Sequence, residues 1–171
     1  QKILKKKVKL IFFNDFINKK YDCDFYINFK NFTHNEKKQI KLNLPKECEI
    51  ITGNRFAIVD KKLKKNHNLR KIKNIIFYAG NSGDPNIFFE QIKFFLENFE
   101  KKRIKINIKL FIGKKNFNIY QYKNLGINHK NFEIIDGTFN LHKYLEISDL
   151  YFGYSGNSIY ENSYLNLISF L

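Results

Sequence analysis

The sequence predicts an α/β protein with a parallel sheet covered by helices on both faces. From residue 74 onward, short apolar runs alternate with stretches whose apolar residues recur at helical spacing. Two of those runs end in glycine-rich loops, the strand–turn–helix grammar of such proteins. The composition also allows a real core: 43% of residues are hydrophobic, 19 are Phe, and two Pro and eight Gly argue against disorder.

In chain order, residues 8–13 form a buried strand that ends at Asn14 and Asp15, polar groups at a strand's carboxyl end. Phe25, Tyr26 and Ile27 form a second strand. Residues 30–47 read as polar and irregular, closed by Pro45. A short strand follows at 49–53, then an apolar run at 55–59. Residues 60–73 are Lys-rich with little apolar spacing and read as a linker. The expected organisation is therefore 1–59, a linker at 60–73, and a second domain at 74–171.

The second domain is the more regular. Residues 74–79 form a buried strand, and Gly80, Asn81, Ser82, Gly83 and Asp84 make the first glycine-rich loop. Pro85 suits a first helical turn, and Ile87, Phe88, Ile92, Phe95, Leu96 and Phe99 mark an amphipathic helix. A strand is expected at 104–112, closed by Gly113. A short helix at 117–125 ends at Gly126. Then come a strand at 132–135, a helix at 140–147, a strand at 150–152, a helix from Ser158 and a last strand at 166–171. Ser155, Gly156, Asn157 and Ser158 form the second loop. Small residues there would let a diphosphate approach backbone N–H groups at a helix start, and Glu161, one turn on, is suited to a ribose diol. An ordinary connection also fits, with Ser158 as cap and Glu161 complementing the helix dipole. Neither loop is a P-loop or a full dinucleotide fingerprint.

The formal net charge is +15. An anionic partner is one reading. A bias toward Lys, Asn, Ile and Phe fits better, because Arg, which supplies bidentate contacts to nucleic acid, occurs only at 55, 70 and 103. No specific nucleic-acid partner is expected. Cys23 and Cys48 stand apart from each other and from His, so no metal site is expected; two free thiols fit a cytoplasmic location. His34, His67, His129 and His142 lie in no metal-spacing motif and read as surface residues. No run of about 18 apolar residues is present, so no transmembrane segment is expected. The absence of Met suggests a fragment or a processed chain.

Four stretches carry a resemblance: Ile11 to Phe16 with Asp22-Cys23-Asp24; Ile51-Thr52-Gly53-Asn54-Arg55-Phe56-Ala57-Ile58-Val59; Phe77-Tyr78-Ala79-Gly80-Asn81-Ser82-Gly83-Asp84-Pro85-Asn86; and Asp149 to Glu161. In order and spacing the chain resembles the UDP-sugar hydrolases of the pseudaminic acid pathway, and more broadly the family 28 glycosyltransferase superfamily of GT-B fold. The resemblance implies two Rossmann-like domains, the first incomplete, binding a UDP-sugar with no cofactor. Gly156, Asn157 and Ser158, with Ser155, would face the diphosphate and Glu161 the ribose. Ile112 and Gly113 would lie near the uracil, Gly80, Asn81 and Ser82 would line the cleft, and Asp15 and Phe16 a sugar pocket. The family's Gly-x-Gly-His segment is missing, so the catalytic group is not assigned; Asn14 and Phe16 stand where the family commonly has Asp and Tyr. The implied chemistry is release of UDP from a UDP-linked amino sugar. A glycosyltransferase with a UDP-sugar donor is the first alternative, a non-catalytic basic module binding anionic polymers the second.

Overall fold

The computed structural model describes residues 8–13, 17–64, 71–113, 118–137, 140–154 and 156–171. The chain divides into two compact units, Gln1–Val59 and Asp60–Leu171.

The first unit holds three parallel strands, β1 (Ile11–Phe13), β2 (Phe25–Asn28) and β3 (Glu49–Thr52), in that order across the sheet. Asp24, just before β2, accepts the Leu10 N–H at 2.8 Å and so aligns the start of β1. Buried Cys23, Tyr26, Phe32, Ile40 and Leu44 make the core. Residues 30–47 are not irregular, as the sequence led us to expect. They contain helix α1 (His34–Leu42), begun by a capping box: Thr33 Oγ1 accepts the Glu36 N–H at 3.3 Å, and Glu36 Oε2 accepts the Thr33 N–H at 2.8 Å. Only Ile40 of this helix is buried, so it leaves almost no apolar period to read.

The second unit is a five-stranded, all-parallel sheet. Its strands are β4 (Asn74–Tyr78), β5 (Asn107–Ile112), β6 (Phe132–Asp136), β7 (Leu150–Gly153) and β8 (Ile168–Phe170). The helices are α2 (Phe89–Lys101), entered through a 3-10 turn at Pro85–Phe88, then α3 (Tyr120–Asn128), α4 (Leu141–Leu145) and α5 (Ser158–Leu165). The spatial order is β6-β5-β4-β7-β8. The chain steps one way from β4 to β6, then returns and steps the other way. Right-handed crossovers therefore put α2 and α3 on one face and α4 and α5 on the other. Packing agrees: Phe77 meets Phe88 and Phe95 on the first face, while Phe111 meets Tyr144 of α4 on the second, ring centroids 4.9 Å apart. This is an α/β fold of Rossmann-like strand order.

Ile75, Phe77, Ile92, Leu96, Ile108, Leu110 and Tyr122 fill the main core. Three rings stack across neighbouring strands, Phe77 on Phe152 and Phe152 on Phe170, each pair 4.7 Å apart. Two boundaries differ from expectation. β5 starts at Asn107 rather than 104, because the chain leaves α2 through Arg103 at φ 55. α3 runs past Gly126 to Asn128, with the His129 N–H closing on the Leu125 carbonyl. The residues expected as linker are described at 60–64 and 71–73. Leu63 is buried, the Lys64 N–H reaches Glu146, and the Lys73 N–H reaches Asp149, all inside the second unit.

Asn162, on the sheet-facing side of α5, is 1% exposed, and neither side-chain polar atom has a partner among the described residues. A buried amide without partners costs about 1–3 kcal/mol. Asn162→Leu, which keeps the branched shape without the polar atoms, should therefore raise the unfolding free energy by about 1–2 kcal/mol, read by urea denaturation; a loss instead, shared by the smaller Asn162→Ala, would mean that the amide is hydrogen-bonded in solution.

Candidate functional site

All five strands of the second sheet are parallel, so the loops after them open on one edge. The strand order reverses between β4 and β7. In open α/β sheets a crevice forms where the connections leave in opposite directions, and ligands bind there. Both glycine-rich loops lie at that point: residues 79–84 follow β4, and Tyr154, Gly156 and Asn157 follow β7.

Close backbone packing shapes the first loop. Gly80 takes φ 83, and a Cβ on Gly83 would lie 1.9 Å from the Ala79 carbonyl oxygen and 2.9 Å from Tyr154 Cε2. The first loop therefore folds onto itself and against the residue that opens the second. Gly113, at the end of β5, is pressed against the backbone of Asn81; a Cβ there would lie 2.4 Å from the Asn81 carbonyl oxygen. The Asn81 side chain accepts the Tyr78 hydroxyl at 2.8 Å. Asp84 caps the 3-10 turn by accepting the Asn86 N–H at 2.9 Å.

The second loop leads into α5. Asn157 is the residue before the helix, and its side chain makes no capping bond. Ser158 Oγ lies 3.1 Å from the Tyr151 hydroxyl. Burial pushes the Tyr151 phenol up, the Ser158 bond opposes this, and nearby Tyr78 and Glu161 push the same way as burial. A cavity of about 360 Å³ lies along the same edge, lined by Asn86, Asn118, Tyr120 and Gln121.

Glu161 Oε1 is 2.8 Å from His142 Nε2, and the other ring nitrogen, Nδ1, is 3.5 Å from Asp60 Oδ2. An imidazole thus bridges two carboxylates that meet it on opposite sides. His142, read from the sequence as a surface residue, is partly exposed and joins the first turn of α5 to the start of the unit. The three do not converge on one centre, and among the described residues no group of His, Cys, Asp and Glu could hold a metal ion.

The structure therefore gathers Gly80, Asn81, Ser82, Ile112, Gly113, Gly156, Asn157, Ser158 and Glu161 on one sheet edge. Ser155, Asp15 and Phe16 lie outside the described residues. Sequence reading missed Tyr78 and Tyr151, which lie in apolar strand runs, Tyr154 at the head of the second loop, and the pairing of His142 with Glu161. No family model matches the chain, and no curated protein matches it. Among solved structures, that of TarM matches at 14% identity with a TM-score of 0.48, over 86% of this chain and 29% of the other. The chain thus spans under a third of that protein's length. No described helix is long and apolar enough to cross a membrane.

A methyl group at Gly113 would have to displace Asn81. Gly113→Ala should cost about 1–3 kcal/mol of stability through overpacking, read by thermal or urea unfolding. Gly156→Ala should cost little in packing, because among the described residues no atom beyond its chain neighbours lies within 4 Å of its Cβ position.

Proposed function

We propose that the second unit binds a uridine diphosphate sugar at this edge, and that the chain is the nucleotide-sugar-binding part of an enzyme releasing UDP from a UDP-linked amino sugar. The observation that carries the reading is the meeting of two glycine-rich loops at the strand-order reversal, joined through Gly83 and Tyr154. The identity of the nucleotide rests on the resemblance of residues 149–161 and 77–86 to the UDP-sugar hydrolases.

In this reading the backbone N–H groups of Gly156, Asn157 and Ser158, at the start of α5, receive the diphosphate and stabilise charge on the leaving UDP. Gly80, Asn81 and Ser82 bound the cleft from the other side. Ile112 and Gly113 lie beside the base. Glu161, braced by His142 at Oε1, accepts the ribose hydroxyls with its second oxygen. A UDP-sugar glycosyltransferase would use the same donor site and differ in its acceptor.

Calorimetry with UDP, ADP and GDP tests the reading: UDP alone should bind with clear heat, and equal or absent binding of all three would end it. Glu161→Ala should weaken UDP binding by about 1.5–3 kcal/mol, the range for a bond to a charged group. Deoxyuridine diphosphate should lose most of that sensitivity. A lower melting temperature with unchanged affinity would leave Glu161 only its bond to His142.

Hydrolysis by the chain itself should stay at background in an assay for free UDP. A general base must reach the water within about 2.6–3.2 Å, and the one imidazole described at this edge, His142, is already engaged by Glu161. Turnover abolished by His142→Ala would instead assign His142 the proton transfer.

A further inference from the structure

We propose that Cys23 and Cys48 form an oxidisable dithiol whose disulfide closes a ring around the core of the first unit. The sequence separates them by 25 positions, yet the fold brings their Sγ atoms to 3.6 Å. β2 and β3 explain the meeting. Phe25 pairs with Glu49, and the Glu49 N–H reaches back to the Asp24 carbonyl at 2.9 Å, so the two strand entries run side by side. The Cys48 N–H closes a turn on the Pro45 carbonyl at 3.0 Å, which fixes the second thiol in place. Forming the bond needs the sulfurs to close to about 2 Å, a movement within side-chain rotation and a small backbone adjustment.

The two thiols differ in access. Cys23 is 5% exposed, buried with Tyr26, Phe32, Ile40 and Leu44, while Cys48 packs on the margin of that cluster. Burial, reinforced by the bond to Cys48, pushes the Cys23 thiol up to about 12, so Cys48 is the sulfur that meets an oxidant first. With a peroxide, Cys48 sulfur takes one oxygen to become a sulfenic acid, and its proton leaves with the other oxygen as water. Cys23 sulfur then attacks the sulfenic sulfur, the S–S bond forms, and the hydroxyl leaves with the Cys23 proton as a second water. A dithiol reductant returns two electrons and two protons.

The location gives the bond structural leverage. All five buried residues of the cluster lie within the segment 23–48, together with β2 and α1. A unit of this size buries too little surface to be robust alone, which is where a covalent staple matters most.

The test uses the full chain and hydrogen peroxide. Titratable thiols should fall from two per chain to none, with loss of two hydrogens in the mass and no dimer. A non-reducing peptide map should join the Cys23 and Cys48 peptides, and the unfolding midpoint of the first unit should rise, then fall back on reduction. Cys23→Ala should leave a Cys48 sulfenic acid that dimedone traps. If that variant does not fold, the map of the unaltered chain decides alone. Sulfinic acid on Cys48, a link between chains, or two persistent thiols would each overturn the proposal; a linked chain with an unchanged midpoint would overturn the stapling.

Discussion

The second unit depends on the Asp149 carboxylate. It is 7% exposed and accepts the backbone N–H groups of Lys73 and Asn74, both at 2.8 Å. These donors open β4, while Asp149 itself immediately precedes β7. One side chain thus starts the central strand beside its neighbour, and satisfies donors that burial would otherwise leave without partners. Asn74 extends the tie: its Nδ2 donates to the Ile147 carbonyl, and its Oδ1 accepts from Asn107 at the head of β5. The first unit repeats the device on a smaller scale with Asp24 and Leu10.

This anchoring divides labour along the strands. Polar side chains fix the amino edge of the sheet, so the carboxyl edge is free of that task and holds loops selected for backbone shape. There the determining quantity is the space that glycine leaves. Gly83 and Gly113 admit a carbonyl and a neighbouring backbone where any Cβ would collide. The loop at 80–83 is therefore positioned by the backbone packed around its glycines, together with one side-chain tie from the Tyr78 hydroxyl to Asn81. The bridge from Asp60 through His142 to Glu161 adds a side-chain brace to the first turn of α5.

Strands and loops of the second unit were legible in the sequence because a strand buried on both faces writes itself as an apolar run, and Gly80 and Gly113 mark where it stops. α1 was missed for the opposite reason: it buries only Ile40, and its one signal was the Thr33–Glu36 box, which lies in the sequence for anyone who looks for caps. Gly126 misled because glycine is tolerated inside a helix at a cost of about 1 kcal/mol and need not end it. The pairings of His142 with Glu161 and Cys23 with Cys48 span 19 and 25 positions. Only the topology brings them together, and no local pattern encodes a distance of that kind.

The stacked rings of Phe77, Phe152 and Phe170 have a consequence for the last strand. β8 is three residues long and has few ladder bonds to hold its register. A slip by one residue would swing Phe170 to the opposite face and leave Phe152 stacked only on Phe77. The sequence contains no Met, so no flexible side chain of that kind is at hand to reshape itself and fill the gap. The rings act as a ratchet tooth: β8 either seats with Phe170 on Phe152 or forfeits the stack, and this three-residue strand acquires a single alignment from an aromatic side chain rather than from its backbone.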